Sequence, residues 1–107
     1  MTKDILEDLF QTIEARKDGD PAQSYVASLF DKGTEKIAQK IGEEATETII
    51  EAIKKDKEKL AQESADLLFH LMVLWSDAGI KPNDIFDVLQ KRDGLSGLEE
   101  KKNRSVT

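Results

Sequence analysis

The chain has 107 residues, of which 36% are charged and 38% hydrophobic, and this composition is that of one globular domain spanning 1–107. Its net charge of −6 argues against nucleic acid as a partner, because affinity for a phosphate backbone rests largely on basic side chains. The absence of cysteine excludes disulfides and thiolate metal sites. No apolar run is long enough to cross a membrane, and the N-terminus lacks an apolar signal core. We therefore expect a cytoplasmic protein with neither a membrane nor a nucleic-acid partner.

Apolar residues recur at helical spacing along most of the chain and predict an all-α fold of four to five helices. The first helix is predicted over 3–17. Asp20-Pro21 interrupts helical structure, and a short second helix is expected after it, ending near Gly33. Thr34 is expected to cap a long third helix.

The fourth helix is predicted to follow a cap formed by Asp56 and to end near Gly79. From Leu67 to Trp75 it is apolar on nearly every side, which implies burial all round. A chain of this length cannot easily bury such a helix alone. The sequence therefore predicts a helical bundle completed by homodimerisation, either as a homodimer or as a dimer-based oligomer.

Two further elements are expected towards the C-terminus. Pro82 suits the first turn of a fifth helix that ends near Gly94. Ser96 and Glu99 match a capping box for a short last helix. The chain then closes in a polar, basic segment at 101–104.

Two pairs of acidic residues stand one turn apart on the third and fourth helices. Glu44 and Glu47 point the same way on one helix, and Glu63 and Asp66 do so on the other. Both pairs border an apolar face, so two facing helices would bring four carboxylates together. Like charges this close repel one another unless a cation neutralises them, and an all-oxygen donor set favours Mg²⁺, or Mn²⁺ in its place, over zinc or copper. The pattern therefore predicts a divalent-metal site.

A simpler interpretation places the same acidic residues on solvated helix faces. Lys40 with Glu44, and Lys59 with Glu63, have the i,i+4 spacing of ordinary ion pairs. Under this interpretation the carboxylates would be neutralised by lysines of their own helices and would need no metal.

His70 is the only histidine, and it shares a narrow helical arc with Glu63 and Asp66. A lone histidine on an apolar helix is more often a hydrogen-bonded core residue than a metal ligand, so we expect it to support Asp66 without binding the ion. Leu67 stands three residues before it, where di-iron carboxylate bundles have glutamate. This argues against an iron site.

Two motifs carry a resemblance to a known group of enzymes: KIGEEATE at 40–47 and ESADLLFH at 63–70. Together they resemble the metal-binding signature of the all-α nucleoside triphosphate pyrophosphohydrolases, the MazG-like superfamily. The flanking segments SYVASLFDKG at 24–33 and RDGLSGLEEK at 92–101 are more selective, and they resemble the phosphoribosyl-ATP pyrophosphohydrolase family of histidine biosynthesis. The similarity runs over nearly the whole chain.

The resemblance implies that a small nucleotide, phosphoribosyl-ATP, is hydrolysed to phosphoribosyl-AMP and pyrophosphate with Mg²⁺ as cofactor, in the second step of histidine biosynthesis. By position it assigns four metal ligands: Glu44, Glu47, Glu63 and Asp66. The catalytic candidates are Glu43, Glu44 and Glu47; Glu43 is a candidate proton acceptor, although its helical projection leans away from Glu44. The candidate phosphate contacts are the basic residues Lys36, Lys40, Arg92, Lys101 and Arg104.

Two alternatives stay open at this point. One is a house-cleaning nucleoside triphosphate pyrophosphatase that uses the same site on free nucleotides. The other is a non-catalytic helical dimer whose acidic cluster binds a divalent ion structurally or not at all. Competition between phosphoribosyl-ATP and free nucleotides separates the histidine-pathway enzyme from the house-cleaning enzyme. A Glu47→Gln variant should lose turnover but keep its fold if the protein is an enzyme, and should change mainly in stability if it is a scaffold.

Overall fold

Five α-helices make up most of the part of the chain that the computed structural model describes, residues 5–93. In chain order they are α1 (Ile5–Arg16), α2 (Tyr25–Lys32), α3 (Thr34–Lys54), α4 (Lys57–Ala78) and α5 (Pro82–Arg92). No strand occurs within these residues, and the predicted all-α fold is confirmed. The predicted end of the fifth helix at Gly94 and the capping box of Ser96 and Glu99 lie outside the described residues.

Local signals in the sequence account for both ends of α4. The Asp56 carboxylate accepts a hydrogen bond from the Lys59 backbone N–H at 3.1 Å, as expected of the residue that caps α4. Gly79 ends α4 with a φ of 80°, a backbone conformation that glycine adopts without strain.

The start of α3 differs from the expectation that Thr34 caps it. Gly33 occupies the cap position with a φ of 94°, and Thr34 is the first helical residue. The Thr34 hydroxyl instead donates a hydrogen bond to Asp77 on α4 at 2.6 Å. The positive φ of Gly33 lets α2 and α3 follow each other directly, and the threonine side chain is then used to join α3 to α4.

The antiparallel pair of α3 and α4 is the most extensive helix packing of the fold and positions the acidic residues. Only Lys55 and Asp56 separate the two helices. Because the connection is so short, residues that are equally many positions before and after it along the sequence face each other across the helix pair. Glu47 therefore stands near the level of Glu63, and Glu44 near that of Asp66.

The core lies where α1 and α2 cover one side of this pair. Its buried apolar residues come from four helices: Phe10, Ile13, Val26, Leu29, Ile37, Met72 and Val73. The partial burial of α4 departs from the prediction of burial all round, because Leu67, Leu71 and Trp75 are only half-buried in the single chain. No helix among the described residues has the length and apolar character needed to span a bilayer.

Candidate active site

Three of the predicted metal ligands meet between α3 and α4. Glu44, Glu63 and Asp66 each offer a carboxylate oxygen, and these oxygens all lie within 4.8 Å of one another. Glu44 is buried, Glu63 is half-buried and Asp66 is exposed. The group thus forms a site that is closed at Glu44 and open to solvent at Asp66.

Glu47 stands beside this group on α3. It is exposed and lies outside the set of oxygens that share the 4.8 Å limit. Its carboxylate is nevertheless close enough to Glu44 and Glu63 for its charge to act on both. All four predicted ligands are therefore neighbours, with Glu47 at the edge.

Crowding of like charges is the main electrostatic feature of the site. Burial, together with the charges of Glu47, Glu44 and Asp66, raises the pKa of Glu63 to about 7. Burial and the charges of Glu47 and Asp66 also raise the pKa of Glu44. Carboxylates in this position are stabilised either by a proton or by a cation.

One carboxylate oxygen of Glu44 indicates a bound cation. Its Oε2 atom is buried and has no hydrogen-bond partner among the described residues. Buried polar atoms without partners are costly, and a bound ion is one of the ordinary explanations for them. Oxygen-only donors at this spacing fit a hard divalent cation such as Mg²⁺ or Mn²⁺.

Glu51, the next acidic residue along α3, provides a useful contrast. Its Oε1 atom is also buried without a hydrogen-bond partner in the described part of the chain, but it lies 3.9 Å from Nζ of Lys54. Glu51 therefore pairs with a lysine of the chain itself, whereas Glu44 forms no ion pair within residues 5–93 and has carboxylate oxygens of Glu63 and Asp66 within 4.8 Å.

The ion pairs expected from the simpler interpretation do not form. Across residues 5–93, Lys40 contacts Glu43 at 3.3 Å, and neither a Lys40–Glu44 nor a Lys59–Glu63 pair is present. Glu43 also accepts a hydrogen bond from Gln39, and these contacts from Gln39 and Lys40 lower the pKa of the Glu43 carboxyl. A carboxylate with a lowered pKa is a weak proton acceptor.

His70 supports Asp66 through the backbone. Its Nδ1 atom lies 2.7 Å from the carbonyl oxygen of Asp66, and its Nε2 atom lies 2.8 Å from the hydroxyl of Tyr25. Because a carbonyl oxygen can only accept, Nδ1 carries the proton and Nε2 accepts a hydrogen bond from Tyr25. Tyr25 on α2 is thereby linked to the α4 segment that carries Asp66.

From the sequence alone, Tyr25 could equally be a packing residue or a base-stacking surface, and it was not among the predicted site residues. It lies 45 positions before His70, and no local pattern indicates that the two side chains meet. Tyr25 is the first residue of α2, and the Ser24 hydroxyl before it caps this helix by accepting a hydrogen bond from the Ala27 backbone N–H.

The candidate phosphate-binding residues lie in different parts of the chain. Lys36 and Lys40 are half-buried on the two turns of α3 that precede Glu44. Arg92 is the exposed last residue of α5, which packs mainly on α1. Lys101 and Arg104 lie outside the described residues.

Comparison with known proteins bears on the chain as a whole. Residues 6–93 match the family described as phosphoribosyl-ATP pyrophosphohydrolase. A protein of Azospirillum brasilense called phosphoribosyl-ATP pyrophosphatase is 56% identical over 100 residues, which cover 94% of this chain and 90% of that protein. Proteins of the same name from Paramagnetospirillum magneticum and Chromobacterium violaceum are 50% identical over 101 residues and 48% identical over 107 residues. These matches cover 94% and 100% of this chain, and 93% and 99% of the respective relatives. The chain therefore belongs to the phosphoribosyl-ATP pyrophosphohydrolase family.

Proposed function

We propose that this chain hydrolyses phosphoribosyl-ATP to phosphoribosyl-AMP and pyrophosphate, a step of histidine biosynthesis, in a reaction that depends on Mg²⁺. The observation that carries the proposal is the meeting of Glu44, Glu63 and Asp66 between two helices, in a chain of this family. The family supports the substrate, and the unpartnered oxygen of Glu44 supports the requirement for a cation.

Each part of the site has a task in this proposal. Glu44, Glu63 and Asp66 would hold the ion, with Glu47 as the fourth ligand. A divalent cation, with Mg²⁺ as the expected ion and Mn²⁺ as a substitute, supplies positive charge and Lewis acidity for cleavage of a phosphoric anhydride. Lys40 lies one turn from Glu44 and would neutralise phosphate oxygens on the same face of α3.

Further basic residues complete the phosphate contacts proposed here. Lys36 stands one turn before Lys40 and extends the same row of cations. Arg92, Lys101 and Arg104 are additional candidates. Of the catalytic candidates, Glu43 is held by Lys40 and Gln39, so Glu44 and Glu47 are better placed to act on the reacting groups.

A direct assay tests the substrate and the cofactor together. Purified protein is incubated with phosphoribosyl-ATP and Mg²⁺, and pyrophosphate and phosphoribosyl-AMP are measured by ³¹P NMR. We expect equimolar products, and no reaction after chelation of the metal. Failure to release pyrophosphate while a free nucleoside triphosphate is cleaved would favour the house-cleaning alternative, and the proposed substrate would be wrong.

A matched pair of variants separates an enzyme from a scaffold. Glu47→Gln should reduce kcat by about 100-fold or more while helix content by circular dichroism is unchanged, because charge at the reacting phosphates is lost. Glu58→Gln removes an exposed carboxylate from the first turn of α4 and should leave kcat unchanged. Equal rates for both variants would contradict a catalytic role for the cluster.

We also propose that the working form is a homodimer in the cytoplasm. Ile49 and Ile53 on α3 are 60% and 75% exposed, and the half-buried apolar residues of α4 add to the surface left open by a single chain. Apolar surface of this kind is typical of an interface between protein chains. Analytical ultracentrifugation should give twice the mass of the chain, and Ile53→Glu should shift the protein to the monomer.

A further inference from the structure

A cavity of about 470 Å³ lies between α1, the start of α2 and α4. Its α1 wall contains Leu9, Ile13 and Arg16, which share one face of the helix. Tyr25 and Phe69 contribute aromatic surface from α2 and α4. This volume is within the range of small-molecule sites, and the lining combines polar and apolar side chains in about equal share.

Tyr25 belongs both to this cavity and to the surroundings of the carboxylates. Its hydroxyl is joined to His70, and His70 is joined to the backbone of Asp66. Burial raises the pKa of the Tyr25 phenol, the charge of Lys40 opposes this rise, and the charges of Glu44 and Asp66 add to it. A molecule that contacts Tyr25 in the cavity would therefore be connected through His70 to the backbone of Asp66, one of the proposed metal ligands.

The aromatic surface suits a flat heterocycle. The rings of Tyr25 and Phe69 are nearly parallel, with an interplanar angle of 21° and centroids 6.2 Å apart. Tyr25 is 52% exposed, so part of its ring is open to a ligand. Aromatic faces of this kind hold nucleobases by stacking, without a requirement for specific hydrogen bonds.

The charge of the cavity differs from that of the carboxylate site. Arg16 is the only charged residue in the lining, as far as the described residues show, and it is a cation. It lies in the last turn of α1, seven residues from Leu9, so the α1 wall is about 10 Å long at the usual helical rise. A guanidinium at one end of an elongated cavity is well suited to bind a phosphate by paired hydrogen bonds.

We infer that this cavity receives the phosphoribosyl-adenine part of the substrate, with the purine on Tyr25 and Phe69 and the phosphate of the N1-linked ribose on Arg16. The inference rests on the proposed function. ATP carries no second ribose phosphate, so Arg16 would be the residue that distinguishes phosphoribosyl-ATP from ATP.

The test compares the affinities of two ligands that differ only in the phosphoribosyl group. Dissociation constants of phosphoribosyl-AMP and AMP are measured by isothermal titration calorimetry in the presence of Mg²⁺. We expect wild-type protein to prefer phosphoribosyl-AMP by at least about tenfold, as for a good charge-assisted contact. Arg16→Gln should reduce this preference to within twofold and leave the affinity for AMP unchanged.

Two further substitutions serve as controls for Arg16→Gln. Arg16→Lys keeps the charge but not the planar fork, and should retain part of the preference. Lys32→Gln removes an exposed cation from the last turn of α2, outside the cavity lining. This variant should retain the full preference for phosphoribosyl-AMP over AMP. Thermal melting of each variant establishes that the protein is folded.

A second pair of variants tests stacking separately. Tyr25→Phe keeps the ring and should bind AMP within about twofold of wild type. Tyr25→Leu removes the ring and should bind both nucleotides about tenfold more weakly, the loss expected for one base-stacking contact.

The inference is overturned if wild type binds AMP and phosphoribosyl-AMP equally, if Arg16→Gln keeps the preference, or if that variant loses affinity for both ligands in parallel. These outcomes are independent of turnover. Absence of pyrophosphate release from phosphoribosyl-ATP would instead contradict the proposed function, so the two failures are distinguishable.

Discussion

The substitution Glu44→Gln separates the requirements of the metal site from those of the fold. Glu44 is buried, one of its oxygens has no hydrogen-bond partner in the described part of the chain, and its nearest charged neighbours include Glu47 and Asp66. Glutamine has almost the same shape without the charge. We therefore expect opposite effects of this variant on the metal-free and the metal-bound protein.

The expected gain in the metal-free protein follows from the cost of the buried group. A buried polar atom without a partner costs about 1–3 kcal/mol, and more when it is charged. Removing the charge should make Glu44→Gln more stable than wild type by about 1–2 kcal/mol in EDTA at pH 8. For a chain of this length that corresponds to an increase in Tm of about 5–15 °C.

Mg²⁺ should change the difference in stability between wild type and Glu44→Gln. An ion present at 100 times its Kd stabilises the folded state by about 2.7 kcal/mol. If Glu44→Gln weakens binding by about 100-fold, the same ion concentration gives less than about 0.5 kcal/mol. Wild type should therefore show a large increase in Tm on addition of Mg²⁺, and the variant almost none.

Differential scanning calorimetry with and without Mg²⁺ measures both effects. Glu43→Gln is the matched control, because Glu43 is the exposed neighbour on the same helix and pairs with Lys40. It should change stability by less than about 1 kcal/mol and keep the response to Mg²⁺. The reasoning is refuted if Glu44→Gln is less stable than wild type in EDTA and responds to Mg²⁺ as wild type does.

Three other predictions concern pH, the core and a helix cap. Burial and neighbouring carboxylates raise the pKa of Glu63 from its usual 4.5 to about 7. Between pH 4.5 and pH 7, the folded metal-free protein therefore keeps a proton on Glu63 that the unfolded chain has released. Its stability in EDTA should fall as pH rises from about 4.5 to 7, and Mg²⁺ should raise Tm more at pH 8 than at pH 5.5; a Tm in EDTA that rises over this range would contradict the assignment. Ile37→Ala empties a fully buried core position and should reduce the free energy of unfolding by about 2–5 kcal/mol in urea denaturation, whereas Ile5→Ala, at an exposed position, should change it by less than about 0.5 kcal/mol. Asp56→Ala removes the cap of α4 and should cost about 1 kcal/mol, while Asp56→Asn should retain most of the stability; equal thermal melts for the two would exclude a capping role.

The fold could be predicted from the sequence where the deciding interactions are local. The cap at Asp56 and the left-handed residue Gly79 depend on side chains or backbone preferences within one helical turn. Thr34 shows the limit of such reasoning. Its hydroxyl is suited to capping, but the adjacent Gly33 took that position, and the hydroxyl bonds to Asp77 on another helix.

The carboxylate site could be predicted because helical periodicity and a short connection suffice to bring two acidic pairs together. The partner of Lys40 could not be predicted, since the helix offers Glu43 and Glu44 at nearly equal distances. Lys40 pairs with the exposed Glu43, while Glu44 is buried against α4, a difference that depends on tertiary packing. The contact between Tyr25 and His70 also depends on tertiary packing, because these residues belong to different helices.

The most direct test of the account is anomalous diffraction from crystals grown with Mn²⁺. The account predicts a strong anomalous peak bound by oxygens of Glu44, Glu63 and Asp66 at about 2.0–2.3 Å, the usual range for a hard divalent ion. It also predicts that Glu44→Gln crystals lose this peak. An anomalous map without density between α3 and α4, from protein that cleaves phosphoribosyl-ATP in the same Mn²⁺ buffer, would contradict the assignment of this site as the metal centre.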